Sequence, residues 1–305
     1  MSSASRITHR TLQQSTLRGL NGNLSRMQTL QEKLSSGREV SRPSDSPVAT
    51  VSAMRLRSGL RRAEQHSRNA QDGLNWLGTA DATLTSMLQV TARARELVLR
   101  AANASMGAEE RQAVAAEIDA LRENAFALAN TRYLDRPIFA GTASAPGAYD
   151  ASGAFLGVAG DETAPGAQGK VERTVAAGVS VRVNVTGPEV FGAAGDDLFS
   201  DLARVAAHLR SDDRALLQAD IGALDTRSRQ IQNQLAKLGA RYHEVEVMRD
   251  RVEAEAVTMR SGLSDVENID LPKTIVDLQL QQVAYQAALS ATARVIQPSL
   301  LDFLR

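Results

Sequence analysis

The residue types that carry metal or nucleophile chemistry are few and widely separated in this sequence. The histidines are His9, His66, His208 and His243, and none lies in an HExxH pattern or at another spacing typical of metal ligands. Cysteine is absent, which removes disulfides, thiolate metal sites and cysteine nucleophiles together. We therefore expect isolated histidines on the surface or between helices, and no metal site.

Two kinds of segment resemble ligand-binding loops without meeting their requirements. The run APGAQGKV, residues 164–171, begins with Ala where a phosphate loop has Gly, and it has Val171 after Lys170 where such a loop needs Ser or Thr. The pairs Asp196–Asp197 and Asp212–Asp213 lack the glycine and the later glutamate of a calcium loop, and they are typical of helix N-caps. The sequence predicts no catalytic residue and no cofactor.

The composition favours helices that pack on one another. The chain has 305 residues, of which 43% are hydrophobic and only 4% aromatic, so its apolar content is mostly aliphatic. Its 35 basic and 35 acidic side chains cancel. The first 62 residues hold eleven Lys or Arg against three acids, but no aromatic residue precedes Trp76 to stack on bases. We interpret this basic region as a solvated helix face and expect neither nucleic-acid binding nor membrane insertion.

Both ends of the chain carry apolar residues at alternating spacings of three and four, the period of a coiled coil. Near the start these positions are Leu17, Leu20, Leu24, Met27, Gln31 and Leu34. Near the end they are Leu271, Ile275, Leu278, Gln282, Tyr285, Leu289, Thr292 and Ile296. A helix with one apolar face is marginal in water, so each of these stripes needs a partner.

The middle of the chain contains further helices and one region of different texture. Helical periodicity runs from about Val48 to Ala102, where Gly59, Gly73 and Gly78 could break it, and again from Ile221 to Val266. Between them, the runs KVERTV and VSVRVNVTG alternate apolar and polar residues as half-buried strands do. The predicted fold is mainly α: an elongated helical bundle or coiled coil formed by both chain ends, with a small β-rich inserted domain.

Several segments of the sequence resemble the bacterial flagellin family. They are LNGNLSRMQTLQEKLSSGREVSRPSDSPVAT (20–50), NAQDGLNWLGTADATL (69–84), RARELVLRAANASM (93–106) and LSDVENIDLPKTIVDLQLQQVAYQAALSATARVIQPSLLDFL (263–304). The run ANTRYLDRPIFAGTAS (129–144) is similar to the branch of that family found at the hook–filament junction, whereas flagellins differ there. It departs from the commoner pattern at Asp135, Arg136 and Pro137.

The resemblance implies a structural protein and not an enzyme, which polymerises as a ring at the hook–filament junction. The implied partners are other copies of the chain, the hook-side hook-associated protein, flagellin and a flagellar type III export chaperone. The implied location is extracellular, on the flagellum, after secretion without a cleaved signal peptide. The family's terminal helices pair on assembly, which implies an interface at Leu17, Leu20, Leu24, Met27, Leu34, Ile275, Leu278, Tyr285, Leu289 and Ile296.

We expect three parts: a terminal assembly domain at 1–40 and 271–305, a helical domain at 41–140 and 196–270, and a β-rich outer domain at 141–195. Flagellin itself, the filament subunit, is the alternative function. An enzyme would need a pocket of converging polar groups that the sequence does not reveal. A coiled-coil signalling or nucleic-acid-binding protein would leave the Gly-rich insertion and the paired ends unexplained.

Overall fold

A computed structural model describes residues 3–103, 106–159 and 169–296, and it confirms a mainly α fold with a small β-rich region. The helices in this part of the chain are α1 (Ser3–Ser36), α2 (Pro47–Asn103), α3 (Ala108–Ala129), α4 (Gly187–Phe191), α5 (Leu198–Ser211), α6 (Arg214–Glu267) and α7 (Leu271–Ile296). The strands form three antiparallel pairs: β1 (Arg132–Tyr133) with β2 (Arg136–Pro137), β3 (Glu172–Ala176) with β4 (Val179–Arg182), and β5 (Gly192–Ala193) with β6 (Asp196–Asp197).

The contacts within the chain define two compact units. The terminal unit contains the described residues up to Arg61 and those from Ala256 onward, and the central unit is Arg62–Glu255. Both α2 and α6 contribute to both units. The three-part division expected from the sequence stays a prediction.

Helix α2 continues through the three glycines that could have broken it. A Cβ on Gly59 would lie 2.7 Å from Sδ of Met259, and one on Gly73 would lie 3.1 Å from Cγ1 of Val183. Close packing therefore accounts for these two glycines. A Cβ on Gly78 would meet no described atom within 4 Å, so packing in the described part of the chain does not explain that glycine.

The central unit has one hydrophobic core that helices and strands share. Leu77 and Leu84 of α2, Ile118 of α3 and Leu224 of α6 are fully buried in it together with Val175 of β3. The rings of Phe139, Tyr149, Phe191 and Phe199 form a cluster, with neighbouring centroids 4.9–6.0 Å apart. Because the β3–β4 hairpin contributes to the same core, the β-rich segment and the helices should unfold together.

One aspartate of each acidic pair caps a helix, as predicted. The Asp197 carboxylate accepts a hydrogen bond of 2.7 Å from the backbone N–H of Ser200 at the start of α5. The Asp213 carboxylate accepts one of 3.2 Å from the N–H of Leu216 at the start of α6. Each carboxylate satisfies a backbone donor that has no partner inside its helix.

A charged pair near α4 makes the stability of the central unit depend on pH. Burial by itself would raise the pKa of Glu189, but the Arg182 guanidinium, at 3.0 and 2.7 Å, and the Thr186 N–H, at 2.7 Å, donate to its carboxylate and hold that pKa below its usual range. A lowered pKa stabilises the fold above the unfolded-state value of 4.5, and this contribution is lost as the pH falls through the folded-state value.

We expect Glu189→Gln to lower the free energy of unfolding at pH 7 and to flatten its decline below pH 4.5. The measurement is urea unfolding at a series of pH values, with Glu172→Gln, an exposed carboxylate on β3, as the control. An acid-side slope that is the same for Glu189→Gln and for the unsubstituted chain would show that this pair does not contribute.

Candidate assembly interface

In the terminal unit, the segment that follows α1 lies beside the segment that joins α6 to α7. Helix α1 is followed by Gly37, whose φ of +68° favours glycine, and α6 ends at Glu267. The N–H of Glu39 donates to the carbonyl of Glu267 at 2.8 Å, and the N–H of Ile269 donates to the carbonyl of Gly37 at 3.2 Å. This antiparallel bridge fixes where α7 starts relative to the end of α1.

From that bridge, α1 and α7 run antiparallel and in contact. The Asp270 carboxylate caps α7 by accepting a 3.1 Å hydrogen bond from the N–H of Lys273. Further along, Nε2 of Gln281 lies 3.2 Å from both the backbone oxygen and Oδ1 of Asn23. Because Asn23 and Gln281 lie at similar distances along the chain from the bridge, the two helices keep register over about 20 Å.

The face of α7 turned toward α1 is defined by burial, and we call it the inner stripe. Its residues repeat at spacings of four and three, are buried or half-buried, and are Thr274, Leu278, Gln281, Tyr285, Ala288 and Thr292. The half-buried residues of α1 include Leu20, Asn23, Leu24, Met27, Leu30 and Leu34. The sequence predicted the same alternation of four and three, and of its positions on α7 Leu278, Tyr285 and Thr292 lie on the inner stripe.

The predicted interface residues divide into two groups. Those that are half-buried are Leu20, Leu24, Met27, Leu34, Leu278 and Tyr285. Leu17, Ile275 and Leu289 are 54%, 42% and 44% exposed, so their contacts in an assembly stay a prediction. The side chain of Ile296 lies outside those that the structure describes.

The predicted stripe included Thr292 but missed Thr274 and Gln281, because apolar patterning gives little weight to polar side chains. The Thr274 hydroxyl donates to the carbonyl of Asp270, and the Thr292 hydroxyl donates to that of Ala288, both at 2.7 Å. These bonds within the helix satisfy the hydroxyl donors, so both threonines are buried at low cost. Threonines that continue the alternation of three and four residues were the signal that could have identified this face of α7.

Helix α7 carries a second apolar surface on the side opposite the inner stripe. Val276, Leu280 and Val283 are 53%, 64% and 64% exposed, and their spacing of four and three places them on one face, which we call the outer stripe. Leu271, Ile275 and Leu289 add exposed apolar surface to α7. Among the described side chains of α1, Leu17 is the large apolar residue with comparable exposure.

An exposed stripe of this kind is suited to helix–helix association. Burying one such aliphatic side chain stabilises a complex by about 1.5–3 kcal/mol, so three in a row would supply several kcal/mol per contact. The same feature repeats in every copy of the chain. The terminal unit therefore presents a surface that can mediate repeated contacts in an assembly.

The histidines occupy ordinary positions where their side chains are described. His66 Nδ1 lies 3.2 Å from the carbonyl oxygen of Thr174, His208 Nδ1 lies 2.6 Å from Asp220, and His243 is exposed. The side chain of His9 is outside the described set. No group of three or more metal-ligating side chains occurs among the described residues. Within the same residues, no helix has the length and apolarity needed to cross a membrane.

Known proteins resemble this chain over most of its length. Flagellin of Bacillus subtilis (strain 168) is 26% identical over 317 residues, which span 98% of this chain and 100% of that protein. Flagellar hook-associated protein 3 of Escherichia coli (strain K12) is 26% identical over 312 residues, which span 94% and 95%. The solved structure of the flagellar junction protein FlgL from Legionella pneumophila aligns with a TM-score of 0.57 at 16% identity, covering 71% of this chain and 99% of that one.

Two family models match the helical ends of the chain. Residues 7–144 match the bacterial flagellin N-terminal helical region, and residues 221–304 match the bacterial flagellin C-terminal helical region. Together these regions make up more than half of the chain, and they contain α2, α3 and α7 and most of α1 and α6. The chain therefore belongs to the bacterial flagellin family.

Proposed function

We propose that this chain is a structural adaptor at the junction between the flagellar hook and the filament, where it assembles as a ring and holds the filament in place. The observation that carries the proposal is the outer stripe, Val276, Leu280 and Val283, exposed on a terminal helix that already has a partner on its other side. A chain with such a surface lowers its free energy by joining further copies.

Two observations favour the junction over the filament. The segment 129–144, with its Ile-Phe-Ala-Gly-Thr run, is similar to the junction branch of the family. The chain also shares its fold with the flagellar junction protein of Legionella pneumophila. The filament subunit is the second candidate, because the Bacillus subtilis flagellin matches this chain over nearly its whole length.

The proposed partners follow from this position. One end of the ring would contact the hook-side hook-associated protein, and the other end would contact flagellin. Before assembly, a flagellar type III export chaperone would cover the apolar surface of α7, since an amphipathic helix in an apolar groove is a common recognition mode. Export through the flagellar channel would place the protein outside the cell, and its role there would be structural, with no catalytic step.

Deletion of the gene tests the proposal. The expected result is cells with hooks but without attached filaments, together with unassembled flagellin in the medium, and recovery when the full chain is supplied. Hooks that still carry normal filaments after the deletion would contradict the junction role. Hooks without filaments and no secreted flagellin would instead favour the filament-subunit function.

A further inference from the structure

The central unit contains a groove between α2 and α6 that the chain itself leaves empty. The groove has a volume of about 340 Å³ and is lined by Leu77, Gly78, Asp81, Leu238, Gly239 and Tyr242. Leu77 and Leu238 are almost fully buried and form an apolar floor, whereas Tyr242 is 39% exposed. The side chain of Asp81 is the charged one among these lining residues.

Both glycines of the groove lie inside long helices, and packing against the residues that the structure describes does not require them. A Cβ on Gly78 or on Gly239 would meet no atom within 4 Å, and neither residue has a positive φ. Glycine in a helix interior lowers stability relative to alanine, so two unforced glycines facing one groove weaken the monomer. Their effect on the molecule is to keep the groove open.

A second feature of the same unit is a hairpin whose tip projects an apolar side chain. Strands β1 and β2 are joined by Leu134 and Asp135, which have φ values of +46° and +60°. This left-handed conformation is unfavourable for leucine, whose side chain is nevertheless 74% exposed. The unfavourable backbone conformation of Leu134 is therefore not offset by burial of its side chain among the described residues.

The base of the hairpin is held firmly against α2. The ring of Tyr133 contacts that of Trp76 edge to face, with centroids 5.7 Å apart, and the Arg136 guanidinium lies 5.8 Å from the Trp76 ring centroid. The hydroxyl of Tyr133 donates to Asp72 at 3.4 Å. The tip is therefore presented from a fixed position, at the level of Trp76.

The tip and the groove are complementary in polarity and charge. Leu134 is apolar, as is the floor that Leu77 and Leu238 form. Gly78 and Gly239 have no side chains that would obstruct its entry. The exposed Arg132 and Arg136 flank the tip and outnumber Asp135, while Asp81 lies on the groove. Trp76 and the first groove residue, Leu77, are neighbours in α2, so tip and groove lie within about 5 Å of the same level along that helix.

We propose that the occupant of the groove is the hairpin tip of a second copy of this chain, with Leu134 inserted between Gly78 and Gly239. Because tip and groove occupy nearly the same level along α2, the two copies would lie side by side with little axial shift. Such a contact is heterologous, so each copy offers a tip to one neighbour and a groove to the next. The proposal rests on the assembly proposed above and names one of its lateral contacts.

A matched pair of substitutions in α6 tests the contact. Gly239→Leu should fill the groove and reduce the number of filaments retained under shear at least tenfold, while raising the melting temperature of the isolated chain by a few degrees because leucine is a good helix former. Gly222→Leu is the control, since its Cβ would also meet nothing within 4 Å but lies outside the groove. It should raise the melting temperature equally and leave the filaments attached. Normal attachment with Gly239→Leu would overturn the proposal.

Engineered cysteines give a direct measurement, because the natural chain has none. Cells that express differently tagged Leu134→Cys and Gly239→Cys copies should yield, after oxidation of isolated flagella, a disulfide-linked dimer carrying both tags. Cells with Leu134→Cys and Gly222→Cys should not yield it. If the first pair fails to crosslink although gene deletion releases the filaments, the contact is wrong and the junction role stands. If the pair crosslinks although deletion leaves filaments attached, the contact stands and the junction role is wrong.

Discussion

Asp201→Ala is expected to lower the free energy of unfolding of the central unit by about 3–5 kcal/mol, since it leaves buried positive charge without its partner. The Asp201 carboxylate is 1% exposed and accepts hydrogen bonds from Arg204, at 2.6 Å, and from Nε of Arg227, at 2.8 Å. The Arg227 side chain is itself only 9% exposed. Removal of Asp201 would take away the buried partner of Arg227 and leave it only the solvent-exposed Asp196.

This carboxylate is the centre of a chain of alternating charges that joins α5 to α6. Arg204 also donates to Asp220 at 3.1 Å, and Asp220 contacts His208 Nδ1 at 2.6 Å. At the other end, Arg227 contacts Asp196. Removal of a buried member of this network destabilises the fold, because the other buried members, Asp220 and Arg227, have lost their hydration and need charged partners.

Asp196→Ala is the matched control for Asp201→Ala, because both carboxylates bind Arg227. The Asp196 side chain is 83% exposed, so its pair with Arg227 is largely screened by solvent, and its loss should cost much less. Urea unfolding can be followed through Trp76, the single tryptophan, which is buried in the central unit. Equal destabilisation by the two substitutions would contradict a buried role for Asp201.

Replacement of the outer stripe by serine, Val276→Ser with Leu280→Ser and Val283→Ser, is expected to abolish filament attachment. Each side chain would otherwise contribute about 1.5–3 kcal/mol at a contact that every copy repeats. In the isolated chain these side chains are more than half exposed, so circular dichroism and the melting temperature of the triple variant should change little.

The matched control for the outer stripe replaces three exposed glutamines of the same helix, Gln279, Gln282 and Gln286, by serine. This variant makes as many changes but removes no apolar surface, so filaments should remain attached. Secretion of both variants must be measured in parallel, because the same stripe is the proposed chaperone site. Normal secretion and normal filament retention by the outer-stripe variant would contradict assembly through α7.

The periodic parts of the fold were predictable from the sequence. A repeat of three and four residues is a local property of the sequence, so it predicted α1, α6 and α7. The run of serines and prolines at 41–47 predicted the connector between α1 and α2. The capping roles of Asp197 and Asp213 were also predictable, since an acid before a helix has one common use.

Features that depend on distant residues were not predictable. Asp201 and Arg204 are three apart on α5, the spacing of a helix ion pair, but their pairs with Asp220 and Arg227 form only when α5 packs on α6, and no spacing indicates those. The face of α7 turned toward α1 includes the buried Thr274, whose hydroxyl is satisfied within the helix, and apolar patterning does not find such a residue. Strand and turn residues at 132–137 gave no signal that the turn would place a leucine in the left-handed region.

The measurement that tests the junction role most directly is immunogold labelling of intact flagella with antibody against a tag carried by the full chain. We predict label at a single position on each flagellum, where the hook meets the filament. The same position should label in cells whose filaments have grown to different lengths, since a ring does not grow with the filament. Label distributed along the filament would contradict the junction role and identify the chain as a filament subunit.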